Sequence, residues 1–181
     1  MSSLSVYHQS SPDLPNKVLT HLEDIASTLA AVGVHFTRWQ SAATLSRDAD
    51  SDALIAAYRP QIEQLMAERG YAGVEVLRVD DGQPQPGDLA AQEGDEHRHA
   101  DDEVRFFAAG RGLFNLHIDD YVYAVQCEKS DLLLIPAGVH HWFDMGEHPY
   151  CVAIRLFNSR AGLAVEPSGG DIASRFPRLD D

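Results

Sequence analysis

Residues 95–107 read DEHRHADDEVRFF. His97 and His99 stand two positions apart, and Glu103 follows four residues after the second histidine. Side chains two apart on an extended chain leave the same face, so His97 and His99 point together. The step ADD can turn the chain so that the Glu103 carboxylate returns to the same cleft. Far downstream, PAGVHHW (136–142) sets Pro136 and Gly138 at a tight turn that delivers His140 or His141 to a strand end. Neutral imidazole suits divalent iron, nickel, copper and zinc. Three histidines and one carboxylate can fill four corners of an octahedron and leave two adjacent positions open. Open positions point to catalysis rather than to a closed structural site.

Around this stretch the chain changes character twice. VEVLRV (74–79) alternates and reads as a strand. From 97 to 157 come EVRFFAA, LFNLHI, YVYAVQCE, LLLIPAG and YCVAIRLF, separated by GRG, DD and KSD. Short, regularly spaced strands of this kind predict an all-β sandwich or barrel. The N-terminal part is helical in pattern. In residues 13–33, Leu19, Leu22, Ile25, Leu29 and Val32 recur every three or four positions, and Gly33 is a stop signal. Residues 51–70 predict a second helical stretch, capped by Ser51 or Asp52, broken at Pro60 and ended by Gly70. DDGQPQPGD (80–88) reads as a loop. The expectation is a single domain over 1–181: a helical region at about 13–70, a β-barrel core at about 74–160, and a polar tail, 161–181, packed through Ile172 and Phe176.

Composition narrows the function classes. The chain has 181 residues, enough for one domain with a sizeable core, and a net charge of −14. That charge repels nucleic acid and disfavours anionic membranes. The start, MSSLSVYHQS, has neither a basic n-region nor an apolar h-region, and no apolar run is long enough to cross a bilayer. A cytoplasmic protein is expected, and the acidic surface is compatible with a monomer. Cys127 and Cys151 lack CxxC spacing; they either pair or remain two buried thiols, the second being the simpler reading for a reduced compartment.

HxH alone is a weak signal. HxHxxxE, followed by six residues and Gly110, then PxGxxH, is much more specific, and it resembles the two motifs of the cupins. The resemblance implies a small double-stranded β-helix, or jelly-roll barrel, packed with helices. It implies His97, His99, Glu103 and His141 as metal ligands, leaving His140 on the other face. Ala91 and Ser130 stand where the two motifs often begin with glycine. These are turn positions, so metal binding is untouched.

EHRHADDEVRFFAAGRGLFNLHI (96–118) together with IPAGVHHWFDMG (135–146) is similar to the acireductone dioxygenase family, and the helical N-terminal half and DIASRFPR tail fit it too. The resemblance implies a dioxygenase of methionine salvage with one Fe2+ or Ni2+ per chain, acting on acireductone and O2. The iron form of that family gives the keto acid precursor of methionine plus formate. The nickel form gives methylthiopropionate, formate and carbon monoxide. A different cupin metalloenzyme, an isomerase or a dioxygenase for another small enolic substrate, would use the same ligands.

An enediol that loses its protons is an electron-rich dianion and needs positive charge nearby. Arg105, two residues beyond Glu103, shares its face if the strand is regular. Arg155 lies within the apolar strand CVAIRLF and must face solvent or a polar cavity. Both are expected to be catalytic. Glu96 and Asp102 flank the ligands. Either they attract the metal or orient the ligand histidines, or they are solvated loop carboxylates; in the family these positions are associated with metal loading and conformational coupling. Phe143, two beyond His141, is expected to line the pocket for the methylthio tail. His117 and His148 read as structural.

Overall fold

The computed structural model describes residues 1–41, 45–46, 48–80 and 93–181. Ala91 and most of the loop read at 80–88 lie outside the described residues; Asp80 itself ends a strand. The chain forms β1 (Ser3–His8), β2 (Lys17–Leu19), α1 (Leu22–Ala30), β3 (His35–Arg38), α2 (Ser51–Ala57), α3 (Arg59–Arg69) and β4 (Gly73–Asp80). Then follow β5 (His97–Arg98), β6 (Glu103–Ile118), β7 (Tyr121–Glu128), β8 (Asp131–Ile135), β9 (His140–Asp144), β10 (Tyr150–Phe157) and β11 (Glu166–Pro167).

β6 is the hub. From Glu103 it pairs with β8 on one side and β10 on the other; from Arg111 it pairs with β7 and β9. β10 continues to β4 and β8 to β3, giving one sheet. β7 continues through β1 to β2, and β9 through β5 to β11, giving the other. All these pairs are antiparallel. Among the described strands the ladder does not close into a ring: β11, β2, β3 and β4 stand at its edges.

The expected turn at GRG is absent, and β6 runs straight through it. At Gly110 φ is +78°, and a Cβ there would lie 2.0 Å from the Tyr150 carbonyl oxygen. The β6–β10 register slips between Val152 and Ala153. A bulge therefore bends one long strand from the first sheet into the second. A turn residue does the work of a hinge because both flanks find ladder partners.

Alternation along β6 separates two layers. Val104, Phe106 and Ala108, with Leu132, Leu134, Val152, Ile154 and Leu156, pack against Leu54, Tyr58, Ile62 and Leu65 of the helices. Phe107, Leu133, Ile135 and Ala153 face the other way, against Leu4, Phe114, Leu116, Val125 and Phe143 of the second sheet. Full burial of each such large side chain stabilises the fold by about 1.5–3 kcal/mol. Cys127 and Cys151 are free buried thiols. The tail docks through Ile172 and Phe176 onto Tyr7 and Trp142.

Two N-terminal expectations are corrected. The first helix does not span 13–33; Lys17–Leu19 is a strand, with Leu19 opposite Leu4. β1 offers a free ladder edge there, and backbone pairing overrides a helical period carried by only Leu19 and Leu22. The cap of the second helix is Asp50, which accepts from Ala53 N–H at 2.8 Å, not Ser51 or Asp52. The break near Pro60 falls at Tyr58, and Gly70 ends α3 with φ +76°.

Candidate metal centre

His97 and His141 face each other in register across β5 and β9. His99 follows β5, and Glu103 is the first residue of β6. The ligand atoms of His97, His99 and His141 lie within 4.8 Å of one another, and all three rings are buried. Each Nδ1 sits on a backbone carbonyl oxygen: His97 on Asp95 O (2.7 Å), His99 on Ala164 O (3.2 Å), His141 on Val139 O (2.9 Å). A carbonyl only accepts, so each Nδ1 must carry the hydrogen. Every Nε2 is thereby left as a lone pair in the neutral ring, the form a metal takes.

Glu103 Oε2 lies 3.0 Å from His99 Nε2 and 3.3 Å from His141 Nε2. His99 Nε2 is buried and makes no well-directed hydrogen bond. Two buried acceptors at that distance repel unless a cation sits between them, a proton or a metal. The imidazole of His99 responds accordingly: burial opposes its charge, but the Glu103 carboxylate outweighs burial and raises its pKa. Burial and the neighbouring His141 lower that of His97. Burial pushes the Glu103 carboxyl up, but Arg105, the two histidines and Arg155 together hold it well below the usual range. Three fixed imidazole nitrogens converging in the interior make a metal-binding site, and the donor set suits a divalent first-row ion.

Both arginines face this centre. Arg105 and Arg155 are cross-strand partners on β6 and β10. Arg105 is 3% exposed and donates from Nη2 to Glu103 Oε1 (2.5 Å) and Glu93 Oε1 (2.9 Å). Its guanidinium carbon lies 4.9 Å from the Phe143 ring centroid and 5.1 Å from that of Phe114. Arg155 Nη2 donates to the same two carboxylate oxygens, at 3.3 Å and 3.1 Å, and Arg155 Nη1 donates to Glu75. Glu103 is thus split: one oxygen faces the histidines, the other the arginines.

Both flanking carboxylates are engaged by hydrogen bonds. Glu96 orients no ligand histidine; backbone carbonyls do that. It is buried, so it is no solvated loop carboxylate, and it accepts from His117 Nδ1 at 2.6 Å. Asp102 accepts from Tyr71 O–H at 2.8 Å and from Ala137 N–H at 2.9 Å, tying α3's end to the turn that delivers His141. His140 is half-buried, outside the three-histidine cluster. Phe143 stacks on Phe114 (4.3 Å) and lines a cavity of about 10 Å³ with Arg105, Cys151 and Met145. Glu93 and Glu75 were not singled out in the sequence. Charge balance is the signal that could have found them, since two buried arginines need more than one carboxylate.

An antiparallel two-sheet fold with a buried histidine centre, whose ligands sit at strand ends, is a metal-binding cupin. The model of the ARD/ARD' family matches residues 4–163. Acireductone dioxygenases from Pseudomonas syringae pv. syringae and Pseudomonas fluorescens are each 62% identical over 181 residues, covering 100% of this chain and 100% of their own. The solved structure of acireductone dioxygenase from Bacillus anthracis, with a cadmium ion in its active centre, superimposes with TM-score 0.78 at 24% identity, covering 91% of this chain and 97% of that one. The chain belongs to the acireductone dioxygenase family.

Proposed function

We propose that this chain, a single cupin domain over 1–181, cleaves acireductone, 1,2-dihydroxy-5-(methylthio)pent-1-en-3-one, with O2 in methionine salvage. His97, His99, Glu103 and His141 would hold one Fe2+ or Ni2+. That ion supplies a Lewis acid and a template for the two enediol oxygens. With iron the products would be 4-methylthio-2-oxobutanoate and formate; with nickel, 3-(methylthio)propanoate, formate and CO. Each set accounts for every atom of substrate and O2.

The observation that carries this reading is the pair of guanidiniums beside the histidine cluster, that of Arg105 buried and that of Arg155 half-buried. An enediol gives up its protons only where the resulting charge is met. Arg105 and Arg155 offer fixed positive charge that cannot be titrated away, in a site screened from water, where it acts most strongly. The three Nδ1–carbonyl bonds keep the imidazoles aimed without rearrangement. The Phe143 and Phe114 rings pack against the planar Arg105 guanidinium. Catalytic roles go to Arg105 and Arg155. Asp102 couples the His141 turn to the helical layer, and Phe143 borders the path of the methylthio tail. We place the protein in the cytoplasm as a monomer, and its net charge of −14 disfavours nucleic-acid partners.

Metal analysis of purified protein, with anaerobic and aerobic assays on acireductone, tests the proposal. About one metal per chain with oxygen-dependent formate and keto acid identifies the iron activity. Carbon monoxide identifies the nickel one. A stoichiometric metal with no turnover above spontaneous oxidation overturns the assignment.

A further inference from the structure

We propose that Glu93 is an exchangeable counter-ion: it occupies the arginine pair in the resting site and is displaced by the anionic oxygens of substrate and product, so it sets how tightly the site holds anions. This rests on the reading of Arg105 and Arg155 above. Glu93 is 4% exposed and belongs to none of the strands. Its Oε1 accepts from Arg105 Nη2 at 2.9 Å and from Arg155 Nη2 at 3.1 Å, and its Oε2 lies 3.4 Å from Arg105 Nη1. One carboxylate bridging two guanidiniums is the geometry expected of a bound oxyanion. Glu103 shares the same arginines, but its other oxygen is committed to the histidines and its backbone to the β6–β8 ladder. Glu93 has neither tie.

Two further observations point the same way. The Nε–H groups of Arg105 and Arg155 are buried with no acceptor among the described residues, so Glu93 leaves the pair incompletely satisfied. The cavity beside Arg105 holds about 10 Å³, room for at most one water, and Glu93 is part of its wall. An anion larger than one water fits beside Arg105 only if a wall residue withdraws, and Glu93 is the wall residue that bonds both guanidiniums.

The test is binding of butanoate, a monoanionic probe, to metal-loaded protein by anaerobic calorimetry, in wild type and Glu93→Gln. Removing a competing charged hydrogen-bond acceptor should tighten butanoate on the order of tenfold. On acireductone, KM should fall, and kcat should fall with it, because formate and the keto acid leave more slowly. A merely structural role predicts the reverse, weaker butanoate and a higher KM. Unchanged or weaker butanoate binding by folded, metal-loaded Glu93→Gln overturns the proposal. Should that variant not fold, Glu93→Asp keeps the charge and withdraws it by one methylene. Butanoate several-fold tighter than wild type then supports exchange; no change, or failure of both variants to fold, overturns it. Butanoate binding needs no turnover, so a wild type inactive on acireductone overturns the proposed function while leaving this measurement readable.

Discussion

Replacing Arg105 by methionine is the sharpest test of the buried charge cluster. The side chain is 3% exposed and meets Glu93 and Glu103, so its loss leaves Glu93 to Arg155 alone and Glu103 to Arg155 and the histidine centre. Breaking a buried pair by removing one partner costs about 3–5 kcal/mol. Arg155 still reaches both carboxylates at 3.1 Å and 3.3 Å, which places the expected loss near the low end, about 3 kcal/mol. With a urea slope of about 2 kcal/mol/M, the unfolding midpoint should fall by about 1.5 M. Adding Glu93→Gln removes one stranded charge, so the double variant should recover at least about 1 kcal/mol. Metal content should hold, because the Nε2 donors and Glu103 Oε2 are untouched. Turnover should fall about 10²–10³-fold in both variants, since the guanidinium that meets the substrate's charge is gone. A single variant less than about 1 kcal/mol destabilised, or a double variant as weak as the sum of the two singles, refutes the cluster energetics.

Three other outcomes are expected. Gly110→Ala drives a Cβ against the Tyr150 carbonyl in a left-handed backbone and should cost about 3 kcal/mol or more by urea unfolding; a loss under about 1 kcal/mol contradicts the bulge. Asp102→Ala frees the Ala137 N–H and Tyr71 O–H and should weaken metal binding about 10–100-fold in competition with a chelator, while Tyr71→Phe has a smaller effect. For Asp144, burial raises the carboxyl, but bonds from Leu179 and Gly146 N–H and from Arg178 outweigh it and hold the pKa below the usual value. A depressed folded pKa means its stabilisation is present above the unfolded value of about 3.9 and is lost as pH falls through the folded one. The stability difference between wild type and Asp144→Asn should therefore be full at pH 6 and vanish in acid; a pH-independent difference counts against it.

The centre was more legible than its surroundings. His97, His99 and Glu103 lie within seven residues, and spacing two apart survives any regular strand. His141 is read from a turn, Pro136–Gly138, whose chemistry is local. Arg155 could be placed because an arginine amid Val152, Ile154 and Leu156 has few destinations. What escaped depended on contacts remote in sequence. Glu93 bridges Arg105, 12 positions away, and Arg155, 62 positions away, which no local pattern records. The Ala164 carbonyl that fixes His99 is 65 positions off and leaves no side-chain signature. The Glu96 side chain leaves for His117 on β6, 21 positions away, a contact that its proximity to His97 in sequence does not record. β2 was read as helix because pairing with β1 is decided by an edge that a local period does not record.

The alternation of β6 bears on how this chain can change over generations. Val104, Phe106 and Ala108 answer only to the helices, while Glu103, Arg105 and Phe107 answer to the interior. A saturation library across 103–108 should show tolerance with a period of two, the helix-facing positions accepting other apolar residues of similar volume. The helical layer can then drift, or be replaced wholesale, while the chemistry stays fixed. A single-residue insertion before Gly110 has no such latitude, because it turns every inward group outward at once.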